Sequence, residues 1–250
     1  MTGYLPFLRK ELREILATWR IVVIPVALLL CAIASPLLAK ATPYLVSTVA
    51  NLPITLPDPT VTDAYAQWAK NLGQIALLVV IVSFAGAVTT ERTTGTLVLA
   101  LSKQLTPAAF ILAKVTAGSA LVAVSTVAST GVMWAMTLAV FGEAPGPALV
   151  ASTGAWLMLA LLCLAIVVLL STVLDATSAS AGLGIGAWVV LAAISAWGPA
   201  TRWSPAGMVP LPSSLAAGAD VAWVWPVVTA AATSIVLVTT AVLTLRRREL

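Results

Sequence analysis

The chain has 250 residues, of which 60% are hydrophobic and only 9% charged, with a net charge of +4 and no histidine. This much apolar surface exceeds what one soluble core can hide, so the composition indicates a membrane protein with several spans. The sequence contains no P-loop, no zinc-ligand spacing and no Ser/His/Asp set, so we expect neither a catalytic residue nor a metal site.

The first predicted element is an amphipathic helix over residues 4–20. Leucines at positions 5, 8, 12 and 16 recur at three- and four-residue spacing, while charged residues cover the opposite face. Such a helix lies along the membrane surface. Two acids within the first twenty residues argue against a cleaved signal peptide. The residues that mark this interfacial helix are Arg9, Lys10, Glu11, Arg13 and Trp19.

Uncharged stretches long enough to cross a bilayer predict six transmembrane helices. They lie at about residues 21–39, 71–90, 115–141, 148–172, 179–198 and 222–245. A seventh uncharged stretch, 41–57, contains three prolines and an asparagine, and is predicted to be an external loop. The sequence therefore predicts a single all-α transmembrane domain over residues 1–250.

The distribution of basic residues predicts how the chain is oriented. Six spans place both termini on one side of the membrane, and Lys and Arg concentrate on the cytoplasmic side. If the termini, residues 91–114 and the 173–178 turn are cytoplasmic, ten of the thirteen basic residues lie there. We expect a multi-pass protein of the plasma membrane, in a bacterial cell, with cytoplasmic termini. Topology thus explains the basic balance without a nucleic-acid partner.

The segment "ERTTGTLVLALSKQLTPAAFILAK", residues 91–114, interrupts the apolar sequence between spans two and three. Its start, from Glu91 to Thr96, has an acid followed by threonine hydroxyls, which is typical of a helix N-terminus. A short helix of this kind on the inner membrane surface could dock into a groove of a cytosolic partner. The alternative is a solvated cytoplasmic turn whose lysines extend toward the membrane boundary.

The fifth predicted span contains a small-xxx-small pair, Gly182 and Gly186, which allows another helix to approach closely. These glycines and Trp188 are candidates for a dimer interface or a transport pathway. The neighbouring Gly182-Leu183-Gly184 is not a nucleotide-binding fingerprint, because no strand-helix-strand context surrounds it.

The N-terminal helix and residues 91–114 resemble the corresponding segments in the permease subunits of ABC type-2 exporters. The N-terminal pattern of that family, KEL-RE-L---W, is matched by residues 10–14 and Trp19. The internal pattern E...GTL..LL..P.SR..F..AK is matched in order at Glu91, 95–97, 101–103, Phe110 and 113–114. The closing residues 246–250 also look like the usual ending of the family. Gln104 and 106–107 depart from the pattern, so the role of the family's arginine there does not transfer.

The resemblance implies a six-span permease fold with an interfacial helix and a cytoplasmic coupling helix, here residues 91–107. It implies two nucleotide-binding ATPase subunits as partners, with ATP and Mg on those subunits and no cofactor on this chain. It also implies a second permease protomer, identical or different, within the lipid bilayer. The residues implied at the ATPase-coupling interface are Glu91, Arg92, Gly95, Thr96, Leu97, Ser102, Lys103 and Lys114.

The function expected from this resemblance is ATP-driven export of a hydrophobic or amphipathic cargo, such as a drug, lipid or peptide. No charged residue lies near the middle of a predicted span, which disfavours an ion-coupled secondary transporter. A non-transporting membrane anchor or assembly scaffold is the main alternative, and a purely mechanical or regulatory output is a further one.

Overall fold

The computed structural model describes residues 3–50, 57–96 and 105–248, and within these ranges the regular secondary structure is entirely helical. Among the described residues, six helical stretches are long and apolar enough to cross a membrane: Arg20–Val46, Val61–Thr93, Pro107–Phe141, Gly146–Val173, Thr177–Ser195 and Val224–Arg247. The prediction of an all-α protein with six membrane-spanning helices is thereby confirmed.

The α-helices are numbered in chain order. They are α1 (Tyr4–Ala17), α2 (Arg20–Ala50), α3 (Val61–Asn71), α4 (Leu77–Phe84), α5 (Thr89–Thr93), α6 (Pro107–Phe141), α7 (Gly146–Val173), α8 (Thr177–Ser195), α9 (Gly198–Trp203), α10 (Leu211–Ala216) and α11 (Val224–Arg248). A π-helical turn, Leu72–Ala76, joins α3 to α4, and a 3-10 turn, Pro205–Met208, follows α9.

The first span is longer than predicted. We expected the helix to end at residue 39 and residues 41–57 to form a loop, but α2 continues to Ala50 with Pro25, Pro36 and Pro43 inside it. The loop prediction is therefore wrong for residues 41–50, and residues 51–56 lie outside the described part of the chain. The error has a physical cause: within a membrane helix, neighbouring groups compensate the backbone bond that a proline removes.

The second span also begins earlier than residue 71. A capping box fixes its start, since the Asp63 carboxylate accepts hydrogen bonds from the backbone N–H and the hydroxyl of Thr60, both at 2.8 Å. The π-helical turn then widens the helix against α7. There the fully buried Trp156 donates its indole N–H to the carbonyl of Leu72 at 2.9 Å. The helical path of span two thus runs from Val61 to Thr93.

The last three spans lie within three residues of their predicted ends, whereas the third begins at Pro107, eight residues before the predicted residue 115. Thr106 caps α6 by accepting a hydrogen bond from the N–H of Ala109. The helix ends at Phe141 and is followed by Gly142, which adopts a left-handed φ of 80°. Helices α2, α4, α6 and α7 contain most of the buried apolar side chains, and α2 packs against α4 and α6 while α7 packs against α4 and α6. Helices α8 and α11 pack at the margin, and only 11% of the most apolar window of each is buried within the chain.

Candidate functional site

Three helices bring charged side chains together at one end of the bundle. Glu11 lies on α1, Glu91 on α5 and Lys114 on the second turn of α6. The Lys114 ammonium contacts Glu91 at 2.7 Å and both carboxylate oxygens of Glu11 at 3.1 Å. Glu11 is 4% exposed, Glu91 9% and Lys114 7%, so these contacts form inside the protein.

A second lysine extends this cluster toward the surface. The ammonium of Lys10 lies 3.0 Å from Glu91, 3.2 Å from Glu11 and 2.6 Å from Glu14. Together Lys10, Glu11, Glu14, Glu91 and Lys114 form what we call the charged junction. Both ammonium groups also lie against aromatic rings, because Lys10 is 5.1 Å from the centroid of Phe7 and Lys114 is 5.0 Å from that of Phe110.

Arg20, at the first residue of α2, completes the charge balance around the junction. Its guanidinium lies 5.5 Å from the centroid of Phe84, and its buried Nε has no hydrogen-bond partner among the described residues. The Arg20 charge also interacts with Glu14, Glu11 and Glu91, so three cations, with Lys10 and Lys114, compensate the three carboxylates of the junction. Buried charges persist only when they are compensated in this way.

The ionisation of the exposed part of the junction follows from its contacts. Desolvation lowers the pKa of Lys10, but its hydrogen bonds with Glu14 and Glu91 and the charge of Glu11 outweigh that effect and raise its pKa above the ordinary value. Desolvation raises the pKa of Glu14, yet the hydrogen bond and the positive charge of Lys10 lower it overall. Both residues are therefore charged at neutral pH.

The carboxylates of Glu11, Glu14 and Glu91 each place one oxygen within 4.8 Å of the others, a spacing that suits a metal ion. Lys10 and Lys114 already contact these oxygens. A metal ion at this point competes with two ammonium groups, and the arrangement is better described as a compensated ion-pair network than as a metal site.

The next residue along the chain, Arg92, points to a different part of the bundle. Its guanidinium donates to the carbonyl oxygens of Thr172 at 2.9 Å and Leu174 at 2.6 Å, and it pairs with Asp175. These acceptors lie at the C-terminus of α7 and in the turn that leads into α8. Arg92 thus donates hydrogen bonds to carbonyl oxygens at the C-terminal end of α7, where basic side chains commonly bind.

Hydroxyl groups reinforce this attachment. The Ser171 hydroxyl accepts hydrogen bonds from the backbone N–H groups of Val88 at 2.9 Å and Thr89 at 3.0 Å. The Thr89 hydroxyl donates to the Ser171 carbonyl at 2.8 Å. The chain from residue 88 to 92 is consequently fixed to the end of α7 by backbone and side-chain contacts together.

The match to known proteins agrees with the helical arrangement. The sequence model of the family described as ABC-2 family transporter protein matches residues 5–200, which include α1, the charged junction and the first five spans. The chain belongs to the ABC-2 transporter family. It is also 24% identical over 211 residues to the uncharacterized transmembrane protein YxlG of Bacillus subtilis (strain 168), a match that covers 82% of each chain.

The residues predicted at the coupling interface of this ABC-2 protein differ in how deeply they are buried. Glu91 and Lys114 are buried in the charged junction, where Lys114 contacts both Glu91 and Glu11. Arg92 is partly buried against α7, whereas Gly95 and Thr96 are exposed. Gly95 adopts a left-handed φ of 73°, a conformation that favours glycine. Three further predicted residues, Leu97, Ser102 and Lys103, lie outside the described residues.

The interfacial-helix residues divide in the same way. Lys10 and Glu11 face the charged junction, while Arg9, Arg13 and Trp19 are exposed. The contact between α1 and residues 91–114 was not predicted, although the sequence contains a signal for it. Glu11 lies between Phe7 and Ile15 at four-residue spacing, and an acid on the buried face of an amphipathic helix requires a buried cation nearby.

The glycine pair of α8 faces away from the rest of the chain. A Cβ at Gly182 or Gly186 would meet no described atom within 4 Å. At Gly184, by contrast, a Cβ would lie 2.8 Å from Val167 and 3.0 Å from Ile81. Trp188 lies four residues after Gly184, is partly buried, and packs against the chain's own core. The outward face of α8 therefore contains the two predicted glycines but not the tryptophan.

Proposed function

We propose that this chain is the permease subunit of an ATP-driven exporter, which forms the translocation pathway with a second permease protomer. Two separate ATPase subunits bind ATP and Mg²⁺ and supply the energy, and the permease has no catalytic residue of its own. Membership of the ABC-2 family supports this assignment, because such membrane proteins generally work with ATPase subunits. The relative from Bacillus subtilis supports a bacterial cell membrane as the location.

One observation carries the proposal: two adjacent residues attach the start of the coupling segment to different helices of the bundle. Glu91 joins it to α1 and α6, and Arg92 joins it to the turn between α7 and α8. A displacement of residues 91–107 by an ATPase subunit is transmitted along both routes. Through Arg92 it reaches α8, whose outward face contains Gly182 and Gly186.

The proposed dimer uses this outward face of α8. Small residues four positions apart let two helix backbones approach closely within a membrane, where packing replaces the hydrophobic effect as the driving force. A switch between inward and outward access then follows from movement of α8 relative to its counterpart in the second protomer. The positive-inside rule favours cytoplasmic termini for each protomer.

Apolar grooves on the described surface support a hydrophobic or amphipathic cargo. A groove of about 440 Å³ lies between α6 and α7, where Trp134 and Leu157 contribute to its wall. Another, of about 460 Å³, lies between α7, α10 and α11, with Met158 and Trp223 at its wall. Volumes of this size suit a drug-sized molecule or part of a lipid.

The test compares Arg92→Gln with Arg202→Gln, an exposed arginine in the segment between α8 and α11. Each permease is purified from its own cells with any ATPase subunit that it retains and is reconstituted in vesicles. ATP turnover and movement of a fluorescent phospholipid and a hydrophobic dye are then measured. Arg92→Gln should retain the ATPase but move roughly twofold to thirtyfold less probe per ATP, the range expected for loss of one coupling contact. Arg202→Gln should match the wild type.

Three results would overturn the proposal. If Arg92→Gln and Arg202→Gln transport equally well, Arg92 does not transmit the ATPase signal. If the permease alone moves the probes in response to an imposed pH step, it is a secondary transporter. If it retains no ATPase and moves no probe, it is an anchor or scaffold.

A further inference from the structure

The exposed surface of α1 has a continuous apolar stripe. Leu5, Leu12 and Leu16 are 60%, 38% and 65% exposed, and Trp19, just after the helix, is 53% exposed. Two residues separate α1 from the first span, so the helix lies at the membrane boundary whichever way the chain is oriented. Exposed leucines at that depth are stabilised by contact with acyl chains rather than with water.

Two arginines border this stripe. Arg9 lies three residues before Leu12 and four after Leu5, and Arg13 lies three residues before Leu16, so both are neighbours of leucines on the helix surface. Both arginines are exposed, and neither forms a hydrogen bond or an ion pair with any described residue. One helical turn separates the two guanidinium groups along the edge of the stripe.

The charged junction explains why α1 presents positive charge outward. Its two acids, Glu11 and Glu14, contact Lys10 and Lys114, so their charges are compensated within the protein. The outward face therefore has two cations and no acid next to its leucines. This charge distribution complements an anionic surface.

We propose that Arg9 and Arg13 bind the headgroup phosphates of anionic phospholipids, while Leu5, Leu12 and Leu16 contact the acyl chains of the same lipids. A guanidinium forms paired hydrogen bonds with phosphate oxygens, and insertion of the leucine stripe brings both arginines to the depth of the headgroups. Because both features occupy one face of one helix, a lipid bilayer satisfies them together. The binding of the ATPase and the transport reaction play no part in this inference.

The test uses the purified full-length chain and two lipids, dioleoyl phosphatidylglycerol and dioleoyl phosphatidylcholine. Lipid binding is titrated by native mass spectrometry for the wild type, Arg9→Gln/Arg13→Gln, and the control Lys70→Gln/Arg202→Gln. The control removes two exposed basic residues that lack described partners and lie in the segments predicted to be outside. Each arginine should contribute about fivefold to the preference for phosphatidylglycerol, hence about 25-fold for the pair if they act independently.

A second measurement localises the lipid. Dibrominated phosphatidylglycerol should quench Trp19, and subtraction of the signal of Trp19→Phe isolates that contribution from the other tryptophans. In Arg9→Gln/Arg13→Gln this quenching should fall, while quenching by dibrominated phosphatidylcholine should not. Inorganic phosphate should not displace the lipid, because it lacks the acyl chains.

If Arg9→Gln/Arg13→Gln keeps the wild-type preference for phosphatidylglycerol, or changes no more than the control, the proposal is wrong. If it keeps that preference but no longer retains the ATPase subunit, α1 binds protein instead of lipid. Should the double variant misfold, Arg9→Lys/Arg13→Lys and the two single variants decide the question. The lysine variant should retain most of the preference and each single variant should lose part of it, and the reverse pattern contradicts the proposal.

Discussion

Removal of the Lys114 charge gives the sharpest test of the charged junction. In Lys114→Met the side chain keeps a length and an aliphatic stem similar to those of lysine but lacks the ammonium group. Glu11 and Glu91 therefore lose contacts at 2.7 to 3.1 Å. Loss of one partner from a buried ion pair costs about 3–5 kcal/mol, because the remaining charge stays buried. Lys10 still contacts both carboxylates, so we expect a value near the lower end, about 3 kcal/mol. For a chain of this size that lowers Tm by about 6–12 °C.

The assay is thermal unfolding in detergent at pH 7, followed by tryptophan fluorescence, with Lys70→Met as the control. Lys70 is exposed and has no ion pair among the described residues, so its removal should change Tm little. The triple variant Lys114→Met/Glu11→Gln/Glu91→Gln should recover much of the loss, because no uncompensated carboxylate remains in the junction. If Lys114→Met unfolds at the same temperature as Lys70→Met, the junction does not stabilise this end of the bundle.

Three further predictions concern other parts of the chain. Gly182→Leu should reduce dimerisation, measured by crosslinking in membranes, without lowering monomer stability, whereas Gly184→Leu should destabilise the monomer because its Cβ would lie 2.8 Å from a valine of α7. Contacts with Lys10 depress the pKa of Glu14, so its stabilising effect is present at neutral pH and is lost as pH falls through that depressed value. Glu14→Gln should therefore flatten the acid side of a Tm-against-pH curve. In intact cells, an impermeant thiol reagent should label Trp203→Cys but not Thr94→Cys, and the opposite pattern would reverse the proposed orientation.

The sequence predicted the helical class and the number of spans because both depend on summed hydrophobicity. A bilayer sets the required length, and charged residues are too costly in its centre to be overlooked. Helix ends were predicted less well where a single residue type was decisive. Pro43 indicated a loop but lies inside α2, and the start of α3 depended on a capping box at Thr60 and Asp63.

Pairing across the fold was the part that the sequence did not reveal. Glu11 and Lys114 are 103 positions apart, and their contact depends on how α1 packs against α6. Glu91 and Lys114 were predicted at the ATPase-coupling interface because they match the internal pattern of the permease family. A cation and an acid can instead compensate each other inside the protein, and residue spacing does not distinguish the two cases.

The adjacency of Glu91 and Arg92 limits how the coupling segment can move. Their side chains reach different helices. Glu91 contacts α1 and α6, and Arg92 contacts the end of α7. A shift of the segment that left both sets of helices in place would break a buried ion pair on one side or a set of carbonyl contacts on the other. Each break loses polar contacts that a small rigid movement of the packed helices would keep. Under the proposed coupling, we therefore expect a push on residues 91–107 to displace α1 and the turn that begins α8 together.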